Sequence, residues 1–548
     1  MTSPWRGFFF LLLFLMLEST LGAQVTTQRL LHPSAEPQNW LTYSGNYSSQ
    51  RFTPLQQITA GNVKDLEMQW AFQAQSLEKF ESTPLVVNGV MYVTQAPNDV
   101  VALDPRTGRS FWIYHYSPSP DARPCCGRVN RGVAMLDDVL YMATIDSHLI
   151  AIDATNGRPL WNTKVADAAA GYAMTLAPLV IKDKVLVGVG GGEYGIRGFI
   201  SAYDARSGKE VWRFYTIPAP GEPGHETWTG GDDWAHGGAP VWITGSYDPE
   251  LNLTYWGVGN PGPDFNPSQR PGDNLYSNSV VALDPDTGKL KWHFQFTPAD
   301  SHDWDAVQVP VLADVNWEGA PRKLMLWANR NGFFYVLDRG TGKFLKGQPF
   351  VKLNWASGLD EKTGRPILTS LPPGAPSYPS GPGGTNWYSP SFSPHTGLFY
   401  VSAWENAGSI VKGIQTEYKE GQRFGGGTVA PIIPGVRVTP RGAPINTYTD
   451  VAGHGSVIAI DPQNAGKKWT YDMYDVNSSG ILTTASDLVF VGGREGYFHA
   501  LNARTGALLW KINLGGEVVA APISFEIDGR QYVTIAAGNT LFAFALRK

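Results

Sequence analysis

The sequence predicts an all-β chain folded as an eight-bladed β-propeller with tryptophan-docking motifs, its N- and C-termini closing one blade together. Three observations predict this: a tryptophan-ended motif that returns through the chain, a composition rich in strand and turn formers, and complementary half-motifs at the two ends.

The motif is an apolar strand, Ala-x-Asp, a turn ending in Gly, then three residues and Trp. It runs over Ala102 to Trp112 (ALDPRTGRSFW), Ala151 to Trp161, Ala202 to Trp212 and Ala282 to Trp292. It returns at Ala459 to Trp469 and, with Asn502 for Asp, at Ala500 to Trp510. A weaker copy, VLDRGTGKFLK, ends at Lys346, and a half copy ends at Trp70, making eight. Asp or Asn caps a tight turn, Gly takes the backbone angle other residues avoid, and Trp falls on the following strand, where it can pack flat against a neighbour. Lys346 in place of Trp predicts a weakened docking contact in the fifth blade. Successive motif ends are 42, 49, 51, 80, 54, 123 and 41 residues apart, too irregular for a solenoid but suited to blades with insertions.

Strand-length runs such as Pro84 to Val93, Leu140 to Ile152 and Leu488 to Leu501 show no sustained 3.6-residue period. Gly 61, Pro 40 and Trp 19, with 12% aromatic residues, fit many short strands and turns. Leu66 to Phe72 supplies a Trp strand with nothing before it, and Gln531 to Leu546 supplies strands with no Trp after them. Joining them in one blade removes an open sheet edge.

Residues 1–23 read as a cleavable signal peptide: Arg6, an apolar run from Phe8 to Leu17, then small residues at Gly22 and Ala23. The rest, 24–548, reads as one propeller domain with Pro/Gly-rich insertions near 218–275 and 354–450, and a periplasmic or secreted location is expected. No stretch approaches the roughly twenty apolar residues of a membrane-spanning helix. A net charge of −5 argues against a nucleic-acid binder.

The two cysteines, Cys125 and Cys126, are adjacent. Cα atoms across a trans peptide lie about 3.8 Å apart, below the usual ~4.4 to 6.8 Å of a disulfide. Oxidation is the common fate of thiols outside the cell, and two unpaired buried thiols are the alternative. Neither a lipid-modified cysteine near the signal nor a Cys-x-x-Cys-His haem site occurs in this sequence.

CCGRVNRG (Cys125 to Gly132) inside a Trp-motif propeller resembles the pyrroloquinoline quinone (PQQ) dependent alcohol dehydrogenases of the methanol and ethanol dehydrogenase type, without a haem domain. The resemblance runs from WLTYSGNYSSQRFTPL (Trp40 to Leu55) to the final AAGNTLFAFAL. It implies that a Cys125–Cys126 disulfide covers one face of PQQ and that Trp242, in HGGAPVW, stacks on the other. PQQ carries three carboxylates and two adjacent carbonyls, so its rim needs cations and donors. The resemblance assigns these to Arg131, Arg330, Glu81, Thr175, Asn386 and the Gly191–Gly192 turn. Gly190 departs from the family, standing where many relatives carry a serine.

The same resemblance implies a Ca²⁺ held by the oxygen-bearing Glu193 (GGGEYGIRG), Asn260 (GVGNPGPD) and Asp305. Asp305 (SHDWDAVQVP) directly follows Trp304 and matches the catalytic base, with Asp303 as its competitor. Lanthanide-using relatives carry a further Asp two residues beyond the base; Val307 stands there, which favours calcium. The implied reaction is alcohol oxidation, with electrons passed to a separate soluble cytochrome c. A dehydrogenase for sugars or polymeric alcohols and a non-catalytic scaffold, such as an outer-membrane assembly propeller, are the rival readings. Gly190-x-Gly192-x-x-Gly195 fits a dinucleotide motif, but the hairpin expected over Phe199 to Trp212 denies it the helix it needs. The histidines form no HExxH, and oligomeric state and substrate identity are not legible.

Overall fold

The structure, a computed structural model, describes residues 25–372, 374–431 and 453–547; the signal segment 1–23 and residues 432–450 of the second insertion lie outside the described residues. Eight antiparallel four-stranded blades follow one another around a ring. Seven occupy 85–114, 134–164, 179–215, 246–295, 311–349, 391–472 and 481–513. The eighth joins Leu66–Gln73 to the three C-terminal strands over 523–546, with Trp70 opposite Ala543, as the two half-motifs predicted. A short strand, Phe52–Thr53, extends the seventh blade by pairing with Ile481–Thr484. Among the described residues no helix is long and apolar enough to cross a membrane.

Inner strands such as Leu85–Val87 and Leu179–Ile181 are buried along their whole length, because both faces meet neighbouring blades. Outer strands alternate, as Pro159–Lys164 does, since one face meets water. The motif Trp sits on that outer strand and covers the turn of the next blade. At Gly108, where φ is +72°, an added Cβ would lie 2.7 Å from the Trp70 ring, so the turn requires Gly for its backbone angle and for the ring above it. The Trp70 indole N–H donates to the Pro105 carbonyl (2.9 Å), and Trp212 and Trp469 make the equivalent bonds to Pro285 and Ala503. The docking contact expected to weaken at Lys346 is instead made by Phe344, two residues earlier. Its ring covers Gly364 of a hairpin, Ala356–Leu359 with Pro366–Leu368, lying before the sixth blade. The stretches 218–275 and 354–450 carry blade strands as well as loops: Ser246–Asp248 and Leu253–Gly257 in the first, Ser391–Ser393 and Leu398–Glu405 in the second.

One buried group ties this packing to pH. His499, on Tyr497–Asn502, is 5% exposed, its Nδ1 has no hydrogen-bond partner among the described residues, and burial with Lys511 beside it lowers its pKa to about 4. In the unfolded chain the imidazole titrates near ~6.5. The unfolded state therefore binds the extra proton first as pH falls, and stability present above about 6.5 drains away toward pH 4, by about 3 kcal/mol. Unfolding titrations at pH 7.5 and 4.5 should show a steeper acid loss in the wild type than in His499→Gln; equal losses would refute the assignment.

Candidate active site

The propeller collects chemistry on one face. The start of each inner strand and the end of its antiparallel neighbour open onto the same side, and the candidate residues fall at those positions. Glu81, Arg131, Thr175, Trp242, Asp305 and Asn386 each lie a few residues before an inner strand, which begin at Leu85, Ala134, Leu179, Ser246, Val311 and Ser391. Glu193, Asn260 and Arg330 each follow a second strand, which end at Gly188, Gly257 and Ala328.

Cys125 and Cys126 are joined by a disulfide, which removes the alternative of two unpaired thiols. Cys126 is exposed, and a Glu193 carboxylate oxygen lies within 4.8 Å of both sulfurs. Glu193 belongs to a turn, Gly192–Tyr194, whose approach permits no side chain at Gly191: φ there is +109°, and a Cβ would lie 2.1 Å from the Gly171 carbonyl oxygen. The chain continues into the strand Phe199–Asp204 rather than a helix, as expected against dinucleotide binding.

Two arginines organise the interior. Arg131 pairs with Glu81 (2.7 Å) and donates to the Thr175 hydroxyl (2.7 Å). Its guanidinium stands 5.2 Å from the Trp242 ring centre and 4.3 Å from that of Trp387, a residue the sequence reading did not single out. Arg330 donates to Asn386 Oδ1 (3.1 Å) and to the Asp303 backbone carbonyl, and its Nη1 stands 3.2 Å from Asp305 Oδ2. The buried Nε–H groups of both arginines have no acceptor among the described residues. Buried cationic donors left open in this way suit an anionic, oxygen-rich ligand.

Asp305 is the hub. Its Oδ1 accepts the Asn260 N–H (2.7 Å), and its Oδ2 accepts the Trp242 indole N–H (3.1 Å) and faces Arg330. Burial pushes its carboxyl up, while Arg330 and the two N–H donors pull it back toward the ionised form. Asp303 shares only Arg330, at 3.6 Å against 3.2 Å for Asp305, takes neither N–H donor, and has a side chain that is 38% exposed.

Asn260 Nδ2 donates to Asp264 Oδ1 (2.9 Å), and Asn260 Oδ1 takes no hydrogen bond among the described residues. Asp264, also not singled out from sequence, is 4% exposed, and burial with the Glu193 carboxylate nearby pushes its pKa well up. Glu193, Asn260 Oδ1 and Asp305 present hard oxygens of the kind Ca²⁺ or a lanthanide takes. Neither Glu193 nor Asp264 has an ion-pair partner among the described residues, which fits a cation between them. Gly190, the departure from the family pattern, pairs with Ala173 through its backbone, N to O at 2.7 Å.

The chain matches the family model described as PQQ: glucose/ethanol/alcohol dehydrogenase, beta-propeller domain, over residues 40–347 and 454–533. It is 40% identical to quinohemoprotein alcohol dehydrogenase ADH IIB of Pseudomonas putida, over 91% of this chain and 73% of that protein. To quinoprotein alcohol dehydrogenase PedH of the same species it is 38% identical, over 98% and 92%. A solved europium-containing methanol dehydrogenase superposes with a TM-score of 0.87 at 33% identity, covering 95% of this chain and all (100%) of that one.

Proposed function

The chain belongs to the PQQ-dependent glucose/ethanol/alcohol dehydrogenase propeller family, and on that footing we propose that it is an exported enzyme oxidising an alcohol to the aldehyde or ketone. The observation that carries this reading is the convergence of Trp242, Asn260 and Arg330 on the one carboxylate of Asp305.

When bound, PQQ supplies the two-electron acceptor and the metal ion supplies Lewis acidity. Trp242 and the Cys125–Cys126 ring would bracket the planar cofactor, and Arg131, Arg330, Glu81, Thr175, Asn386 and the Gly191–Gly192 turn would bind its rim. Asp305 takes the proton of the substrate hydroxyl at a carboxylate oxygen; Arg330 and the N–H donors favour its ionised form against the upward push of burial. Arg330, clamped by Asn386 and the Asp303 carbonyl, holds its charge over the reacting centre. Glu193, Asn260 Oδ1 and Asp305 would hold the metal. On the residues of the family pattern alone the ion is calcium, because Val307 stands where lanthanide-using relatives carry an aspartate. Electrons leave singly to a separate soluble cytochrome c in the periplasm.

The test is dye-linked oxidation of a panel of short alcohols and sugars by purified protein, with PQQ and metal each added and withheld. Activity requiring both is expected. No turnover and no PQQ absorbance retained after reconstitution would refute the reading and leave a binding propeller.

A further inference from the structure

Residues 38–51 belong to no repeat and supply no residue to the site, yet they cross the middle of the ring and bond to the inner strands of seven of its eight blades. Trp40 exchanges backbone hydrogen bonds with Val86 (2.8 and 3.0 Å). The carbonyls of Gln38, Tyr47, Ser48, Gln50 and Arg51 accept the N–H groups of Glu526, Tyr247, Leu312, Phe392 and Thr483 at 2.8 to 3.1 Å. The Tyr47 hydroxyl donates to the Val180 carbonyl (2.8 Å). Val86, Tyr247, Leu312 and Phe392 each stand one residue past the start of an inner strand, whereas the candidate site residues stand a few residues before such starts. Strand residues rise about 3.3 Å each, so this segment forms a shelf beneath the site.

The shelf meets the site through one ring. Tyr43 is 5% exposed and packs in an apolar cluster with Ala177, Ile243, Val307 and Val309, and Trp242 and Trp387 lie against that cluster. Arg51 fixes where Tyr43 stands. Its guanidinium is fully buried, donates Nη1–H to the Tyr43 carbonyl (2.7 Å) and Nη2–H to the Pro522 carbonyl (2.8 Å), and stands 5.5 Å from the Trp40 ring centre and 5.9 Å from that of Tyr43. Arg270, equally buried, has Asp300, Asp264 and Asp233 near it, but no carboxylate pairs with Arg51 among the described residues. A buried cation is costly without a counter-charge. What this one secures is geometry, because its planar fork ties the shelf at Tyr43 to the eighth blade at Pro522.

We infer that residues 38–51 are a shelf under the cofactor floor and that Tyr43, held through its carbonyl by Arg51, is a positioning residue that sets the Trp242 ring in stacking register with PQQ. The inference rests on the cofactor reading above. Tyr43→Leu leaves room behind the cluster, and Tyr43→Phe keeps the ring. Each full-length protein is loaded with PQQ, retention is read by equilibrium dialysis, and the induced circular dichroism of bound PQQ reports its orientation against the neighbouring ring. Tyr43→Leu should lose retention about tenfold, the worth of well-stacked rings, and alter the dichroism. Tyr43→Phe should restore both. Gln50→Ala removes a shelf bond to the Leu312 carbonyl (2.8 Å), away from the cluster; it should lower the melting temperature and leave retention and dichroism unchanged. Coupling between two sites is reciprocal. PQQ should therefore slow hydrogen exchange of the amides of residues 40–51 in the wild type on the order of tenfold, while those of Pro159–Lys164 keep their rates.

A wild type that retains PQQ and a Tyr43→Leu variant that matches it in retention and dichroism overturn the inference and leave the dehydrogenase reading intact. Losses in Gln50→Ala equal to those in Tyr43→Leu overturn it as well, since they would reduce the shelf to general stability. Should Tyr43→Leu fail to fold, the wild-type exchange decides, and shelf amides indifferent to PQQ refute the role. A wild type that retains no PQQ defeats the cofactor reading and the inference together.

Discussion

Asp305→Asn protein is expected to retain PQQ and to lose turnover by about 10²- to 10⁴-fold, the contribution of a positioned general base. The amide conserves volume, and its oxygen can still accept the Asn260 N–H that now reaches Oδ1 at 2.7 Å. Its NH₂ then faces the Trp242 N–H and Arg330, donor against donor, so the amide neither takes a proton nor balances the arginine. Retention of cofactor separates the two roles, because the rim donors Arg131 and Arg330 are untouched. Asp303→Asn is the matched control. Its side chain takes neither the Asn260 nor the Trp242 N–H, and although its carboxylate stands 3.6 Å from Arg330, the backbone carbonyl that also accepts from Arg330 is left in place by the substitution. The two variants are compared by kcat in the dye-linked assay and by PQQ absorbance after gel filtration. Near-normal turnover in Asp305→Asn, or a larger loss in Asp303→Asn, would move the base to Asp303.

The legible parts of this molecule are those written in local chemistry. A turn ending in Gly and followed, after three intervening residues, by Trp declares a hairpin and a docking ring together, because that Gly supplies both the backbone angle and the seat for the preceding motif's Trp. The closing blade was readable for a similar reason, since each half lacked what the other supplied. Site residues were readable where a family motif surrounds them, and their positions just before inner strands or just after second strands are a signal that strand assignment alone would give.

What escaped is tertiary. Nothing in VLDRGTGKFLK says that Phe344 takes over the docking of the missing Trp, because its partner, Gly364, lies on a hairpin that belongs to no repeat. The strand Leu253–Gly257 reads as part of an insertion because the loop residues 258–278 separate it from Ser279–Leu283, the strand that carries the motif. Trp387 carries no motif and matters through Arg131, which another loop brings beside it; Asp264 carries none either, and its partner is the Asn260 amide four residues earlier in the same turn.

Trp242 joins two tasks that substitution can pull apart. Its ring lies beneath the Arg131 guanidinium on the proposed cofactor face, and its indole N–H holds Asp305. Trp242→Ala removes both. A large aromatic contact at about 25 cal/mol per Å², with the added preference of stacked rings, amounts to about 3 kcal/mol, so PQQ retention should weaken on the order of 100-fold. Trp242→Phe keeps a ring and deletes the donor. Retention should then stay within about tenfold, while kcat at saturating PQQ falls by about 10- to 100-fold, the worth of one hydrogen bond to a charged group. Equilibrium dialysis reads the first quantity and the dye-linked assay the second. Undiminished retention in Trp242→Ala would mean that the cofactor does not rest on this ring. If Phe instead costs retention as much as Ala while kcat holds, the indole N–H serves the ligand rather than the base, and Asp305 is oriented by Arg330 and Asn260 alone.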